Sequence, residues 1–179
     1  MTCSGVMIAG LFFFVSQAKP MSSISSERPP SSVFQSSVSF SIIGQFLVHL
    51  LSMYLTVLLC ESFVHEEHFS LTPDGKFTPN LFNSAMFLLS NHMQINNFWI
   101  NYRGPPFMEE ISENVYLWRC LQVIYVILLV VIGGQFEPLN DLLQLVAFPN
   151  QDYQIKFLLI LGMNTAMNYL IERGCRRFE

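Results

Sequence analysis

Ser41, Gln45, His49, Ser52 and Thr56 recur at spacings of four, four, three and four residues inside an uncharged apolar run, FSIIGQFLVHLLSMYLTVLLC at 40–60. On a helix that spacing puts all five on one face. A His and a Gln in an apolar medium are costly unless paired. The stripe therefore reads either as the wall of a polar cavity or substrate path, or as interhelical hydrogen bonding. A second run, LFNSAMFLLSNHMQINNFWI at 81–100, is rich in amides. Ser90, Gln94, Asn97 and Asn101 form one stripe, and Asn91, His92 and Asn96 lie beside it. So many amides insert poorly as an isolated helix, so this segment belongs inside a bundle or against a water-filled cavity. Gln45, His49, Gln94, Asn97 and Asn101 are the resulting candidates for a substrate path. Near the C-terminus, Asn164, Asn168 and Glu172 share a third face, and an exposed ion pair with the adjacent Arg173 is expected for Glu172.

Other arrangements offer less. Glu61, His65, Glu66, Glu67 and His68 form an acidic cluster in which the two histidines stand at i and i+3. This is not HExxH, and two histidines do not close a tetrahedral metal site, so a solvated acidic loop is expected. There is no GxxxxGK[ST], GxSxG or GxGxxG, and no loop pairs a nucleophile with a base. Cys3, Cys60, Cys120 and Cys175 are far apart, which argues against a disulfide framework or zinc ribbon. No catalytic residue, cofactor site or metal site is expected in this chain.

The elements that carry these stripes follow from composition. The chain has 179 residues, 51% hydrophobic and only 12% charged, with a net charge of −4. Its mean hydropathy is +0.40. Soluble domains carry about 25% charge, and a nucleic-acid binder would show a basic excess. An all-α membrane protein is expected. A helix needs roughly 20 mostly apolar residues to cross a bilayer. Four segments qualify: 40–60, 81–100, 115–134 and 154–171. The opening run VMIAGLFFFVS at 6–16 is too short to span, and reads either as a signal peptide ending at Ala18 or as the last half of a helix. The expected organisation is a truncated membrane helix at 1–16, a solvated Ser/Pro loop at 17–39 and a four-helix membrane region at 40–179.

Charge sets the orientation. Lys19, Arg28, Arg103, Arg119, Arg173, Arg176 and Arg177 fall on one side, and only Lys76 and Lys156 on the other. The positive-inside rule then puts the first loop, the Gly-Pro-Pro loop at 101–114 and the C-terminus in the cytosol.

Several stretches are more specific than the apolar helices. GVMIAGLFFFVSQAKPMSSISSERPPSSVF, GQFLVHL, FTPNLFNSA and INYRGPPFMEEISEN resemble, in that order, the C-terminal membrane part of the type V, subgroup A P-type ATPases of the endoplasmic reticulum. The similarity fades after about residue 120. The resemblance implies that 1–16 ends the sixth core membrane helix and that the four spans are the seventh to tenth. It implies an endoplasmic-reticulum membrane location. It also implies a parent that couples ATP hydrolysis, with Mg²⁺, to removal of misinserted transmembrane helices, or to cation transport as such proteins were earlier classed. The family's DKTGT and TGES-like motifs are absent here, so no catalytic residue carries over. The implied partners are the lipid bilayer and the parent's remaining membrane helices and cytosolic domains, with no nucleic acid.

Two alternatives remain open at this level. One is a stand-alone four-span interaction protein with a cleaved signal. The other is a metal transporter using His49, His65, His68 and His92, in which His49 and His92 face each other at membrane depth.

Overall fold

Six helices are present in a computed structural model that describes residues 2–22, 25–26, 32, 34–63 and 79–177. They are α1 (Thr2–Ser16), α2 (Ser36–Phe63), α3 (Leu81–Ile100), α4 (Val115–Ile132), α5 (Glu137–Leu142) and α6 (Gln151–Arg176). Among the described residues the only strand-like pairing is an isolated bridge between Pro20 and Met108. The acidic cluster around His65 and His68 lies outside the described residues.

Local chemistry sets the helix ends. Asn80, Asn114 and Asn150 open α3, α4 and α6, each side-chain oxygen accepting from the backbone N–H three residues on, at 2.7, 3.1 and 2.8 Å. Such a cap satisfies one of the four orphan donors at a helix start. α4 ends at Gly133–Gly134. Gly134 has φ +64°, and the N–H groups of Gly134 and Gln135 return to Val131 O and Val130 O at 3.1 and 3.4 Å. That turn needs a left-handed residue, which glycine adopts without a Cβ penalty.

The helix extents differ from the sequence expectation in three places. α2 starts at Ser36, so 36–39 is helix and not loop. α6 continues to Arg176, past the expected end at 171. The short α5, with Pro138 in its first turn, interrupts a stretch expected to be loop.

α3 is the central element. It packs on α2 and α6 on one side and on α1 and α4 on the other, and α2 pairs most extensively with α6. Contacts between Gln45 and Asn101 and between His49 and Asn97 make α2 and α3 antiparallel. Cys60 meets Tyr153 while Ser41 meets Glu172, so α2 and α6 are antiparallel as well. The first loop, the Gly-Pro-Pro loop and the end of α6 therefore gather at one end of the bundle. Glu109 N–H donates to Lys19 O at 3.0 Å, Met21 N–H to Phe107 O at 3.1 Å, and Arg176 Nη2 to Tyr102 O at 3.1 Å. These are the segments that the charge asymmetry assigned to one side.

The bundle is polar inside and apolar outside over much of its length. On α2 the buried side chains include Ser37, Ser41, Gln45, Ser52 and Thr56, while Phe40, Ile43, Phe46, Leu47 and Leu50 are exposed. α6 buries Asn164, Asn168 and Glu172 and exposes Leu159 and Leu170. Water would favour the reverse arrangement. Two described helices, Ser36–Phe63 and Val115–Ile132, are long and apolar enough to cross a membrane by length and composition. α3 and α6 match the expected segments in position, but their amides keep them below that level of apolarity. An apolar core persists at the end away from the loops just described, where Leu59, Leu89, Tyr153, Phe157 and Leu161 pack together. A second cluster joins Leu11 of α1 to Leu117, Leu121 and Ile124 of α4.

Candidate functional site

Between the apolar end and the loop end lie two adjoining hydrogen-bonded sets, one drawn from α2, α3, α4 and α6 and the other, nearer the loops, from α2, α3 and α6. Asn164 of α6 is the hub of the first. The Asn164 amide donates to His49 Nδ1 at 3.1 Å and to Ser52 Oγ at 2.8 Å. Its oxygen accepts from Asn96 Nδ2 at 3.3 Å and from Asn168 Nδ2 at 3.2 Å. An amide has two donors and two acceptor positions, so Asn164 is saturated, and it is fully buried.

The network fixes the His49 tautomer. His49 Nδ1 accepts from Asn164, which leaves Nε2–H to donate to Asn97 Oδ1 at 3.3 Å. His92 Nε2 lies 3.1 Å from Leu161 O, 3.1 Å from Thr165 Oγ1 and 3.0 Å from Asn96 Nδ2. The Asn96 amide then donates to Thr165 Oγ1 at 2.9 Å and to Asn164. Tyr125 O–H donates to Asn96 Oδ1, which ties α4 into the set. His92 Nδ1 and Asn168 Oδ1 are left buried without a partner.

The set nearer the loops is charged. Ser41 O–H donates to Glu172, and Gln45 Nε2 lies 2.9 Å from Ser41 Oγ and 3.2 Å from Glu172 Oε2. Gln45 and Asn101 also exchange a reciprocal amide pair at 2.9 and 3.1 Å. Arg176 Nε donates to Glu172 Oε1 at 2.7 Å, and its Nη2 caps the end of α3 by donating to Ile100 O and Tyr102 O, both at 3.1 Å. Outside the helices, Tyr102 O–H donates to Glu109 O at 2.9 Å. Burial raises the Tyr102 hydroxyl above the ordinary tyrosine range, and the nearby Glu109 and Glu113 add to the shift.

Four of the five candidate path residues are brought together. Gln45, His49, Asn97 and Asn101 join along the α2–α3 contact. Gln94 is not part of it; it is exposed, and among the described residues its side chain makes no hydrogen bond. The stripe Ser90–Gln94–Asn97–Asn101 meets α2 only through its last two members. The buried polar face of α3 is instead Asn91, His92 and Asn96. Glu172 also departs from expectation. Its side chain is only 8% exposed and pairs with Arg176, one turn on, and not with Arg173. Arg173 donates to Tyr169 O–H at 2.8 Å instead.

Thr165 and Tyr125 belong to the network and were not singled out in the sequence: Tyr125 is an isolated polar group in an apolar run, and Thr165 stands beside Asn164 but off the Asn164–Asn168–Glu172 stripe. Arg176 did carry one, the Glu-to-Arg i,i+4 pairing. His49 and His92 do not face each other, because Asn164 and Asn96 stand between them. Among the described residues no cluster of three or more His, Cys, Asp or Glu is arranged to hold a metal ion. The arrangement joins helices through neutral amides and imidazoles, with its one buried charge pair at the loop end.

No family model matches the chain. It is 37% identical over 175 residues to a probable manganese-transporting ATPase of Arabidopsis thaliana, covering 98% of the chain and 15% of that protein. It is 32% identical to an endoplasmic reticulum transmembrane helix translocase of Schizosaccharomyces pombe, over 99% of the chain and 14% of the relative. The corresponding translocase of Saccharomyces cerevisiae is 29% identical over 99% of the chain and 14% of its own length. The chain thus spans about one seventh of these relatives, and the similarity runs well past residue 120.

Proposed function

This match makes the sequence a segment of the type V P-type ATPase family, and from that premise we propose that the chain is the C-terminal support region of the membrane domain of an ATP-driven pump or transmembrane-helix dislocase. The observation that carries the reading is the match over nearly the whole chain to a small fraction of much longer ATPases.

In this reading α2, α3, α4 and α6 cross the endoplasmic-reticulum membrane, and α1 is the end of a further crossing. The helices correspond to the end of the sixth through the tenth core helices of the parent. The inverted polarity of α2 and α6 supports a lipid surround, because exposed Leu, Ile and Phe beside buried amides suit hydrocarbon and not water. The packing of Leu11 on α4 supports α1 as part of the bundle. The gathering of Lys19, Arg103, Arg176 and Arg177 with the loop end supports a cytosolic C-terminus. ATP and Mg²⁺ belong to the parent's cytosolic domains. Cargo, whether a transmembrane helix or a cation such as Mn²⁺, is handled by the assembled parent. This chain's part is to hold the helix frame, with Gln45, His49, Asn97 and Asn101 joining α2 to α3 and Gln94 on the exposed side of α3, free to border the path.

Glycosylation mapping of the chain in endoplasmic-reticulum membranes tests the topology. Acceptor sites engineered into 64–78 and 144–150 are expected to be modified, and sites in 17–35 and 101–114 are expected to stay bare. Modification of the Gly-Pro-Pro loop would overturn the orientation. Reading the transcript upstream, in frame, for a DKTGT-encoding segment tests the pump assignment.

A further inference from the structure

The loop end of the bundle holds a cavity of about 290 Å³ between α3 and α6, lined by Trp99, Tyr102, Tyr169, Glu172, Arg173 and Arg176. Its charges are two guanidiniums and one carboxylate, and Arg176 already neutralises that carboxylate at 2.7 Å. Arg173 is the uncompensated cation. It is exposed, lies 5.8 Å over the Tyr169 ring and engages one of its five donors on the Tyr169 hydroxyl. Trp99 stacks on the other element at 5.9 Å from Tyr169, with the rings 10° from parallel. Paired Trp and Tyr rings with Arg are the composition of a membrane–water interface.

A second, larger crevice of about 670 Å³ opens from the same tryptophan. It is lined by Trp99, Trp118, Leu121, Tyr125, Val126 and Thr165. Thr165 precedes Arg173 by eight residues on α6, which is about 12 Å along the axis. The crevice therefore lies deeper toward the bundle centre than the cationic mouth. Its walls are mostly apolar, and Trp99 belongs to both spaces. A cationic mouth at the interface, joined to an apolar body about two helical turns deeper, has the polarity and layout of a phospholipid.

We propose that this paired cavity is a binding site for an anionic phospholipid, its headgroup phosphate held by Arg173 and its acyl chain lying against Trp99, Trp118 and Val126. The proposal rests on the membrane reading given above. A guanidinium presents a planar fork of donors suited to phosphate oxygens. Arg173 supplies that fork, while Arg176 is committed to Glu172 and to the end of α3. Basic pockets between membrane helices on the cytosolic side favour anionic headgroups on the same electrostatic grounds.

The chain's two tryptophans, Trp99 and Trp118, both line the crevice, so intrinsic fluorescence reports its occupancy directly. The full chain is reconstituted in phosphatidylcholine vesicles. A minor fraction of lipid brominated on its acyl chains is then introduced, either as phosphatidylcholine or as phosphatidylinositol phosphate. The expected result is stronger quenching by the anionic lipid, corresponding to an enrichment of about five-fold for the Arg173 guanidinium. Arg173→Gln abolishes the excess and Arg173→Lys retains part of it. Among the described residues Arg173 is bonded to Tyr169 alone, so these variants are expected to leave the packing intact, and unchanged quenching by brominated phosphatidylcholine verifies this. Equal quenching by the two lipids in the wild type overturns the proposal and leaves the membrane reading standing. An excess that survives in Arg173→Gln also overturns it. Relief of the excess by millimolar inorganic phosphate identifies a free-anion site and overturns the lipid assignment. Absence of quenching by either lipid overturns the proposal together with the membrane reading.

Discussion

Asn164→Ala should be the most damaging single substitution in the polar network. Asn164 joins α6 to three partners on other helices, His49 and Ser52 of α2 and Asn96 of α3, at 3.1, 2.8 and 3.3 Å. Interhelical hydrogen bonds in a membrane average about 0.6 kcal/mol and reach about 1.7 kcal/mol. Three of them together give a loss of about 2 kcal/mol at the average and about 5 kcal/mol at the upper limit. The lower figure is a floor, because no water is at hand to satisfy the Asn96 and Asn168 donors left behind. The internal control is Asn97→Ala. Asn97 is exposed and makes one bond, to His49 at 3.3 Å, so it should cost about 0.5 kcal/mol. Reversible unfolding in mixed micelles with increasing dodecyl sulfate, followed by helical circular dichroism, measures both. If Asn164→Ala and Asn97→Ala shift the midpoint equally, the network does not hold the helices together and its role must be sought in solvation or transport.

Arg176→Ala breaks a pair whose carboxylate is buried and also uncaps α3. Breaking a buried pair costs about 3–5 kcal/mol, and the 37% exposure of the Arg176 side chain reduces this to about 2 kcal/mol, readable in the same unfolding assay, with Arg173→Ala near zero. Gly104→Ala should loosen the Gly-Pro-Pro loop, since a Cβ there would sit 2.9 Å from Glu109 O. The backbone shift costs about 1–3 kcal/mol and should appear as faster hydrogen exchange at the Met108 amide, which donates to Gly104 O at 3.1 Å. Tyr102 should ionise above the ordinary tyrosine range, and Glu109→Gln should bring it down; absorbance titration against Tyr102→Phe measures it. Because the unfolded chain releases that proton first, this tyrosine's contribution to stability is present below the ordinary tyrosine pKa and is lost as pH rises toward the folded value. Gln94→Leu should leave the chain's stability unchanged or raised, because Gln94 gives up no hydrogen bond, while lowering transport by the assembled ATPase if its face borders the path.

The four long helices were legible because their apolar runs are each about 20 residues long, and the starts of three of them carry an Asn cap. α5 was not, since six residues carry no periodicity worth reading. The buried face of α3 was not legible in its polar residues for a definite reason. Polar residues occur on nearly every side of 90–101, so the polar stripe itself cannot say which side is buried. The first half of the helix does hold the signal. Ala85 and Leu89 are core positions, and continuing them by three and four residues reaches His92 and Asn96. Glu172 was misjudged because its neighbour in sequence, Arg173, lies about 100° around the helix. The residue one turn on, Arg176, shares its face.

Saturation separates the two roles that the polar residues were expected to share. A group that lines a path must have hydrogen-bonding capacity to offer a passing cargo. Asn164 has none left, and the Gln45 amide is occupied by Ser41, Asn101 and Glu172. These side chains act as cement between α2, α3 and α6. The capacity that remains faces the other way, on Gln94 and on the exposed amide of Asn97. An amide exposed to hydrocarbon about 9 Å inside the end of α3 is costly. In a membrane that face must border other helices or a hydrated cavity. α3 is therefore two-sided, one face bonded into the bundle and the other presenting amides to whatever adjoins it.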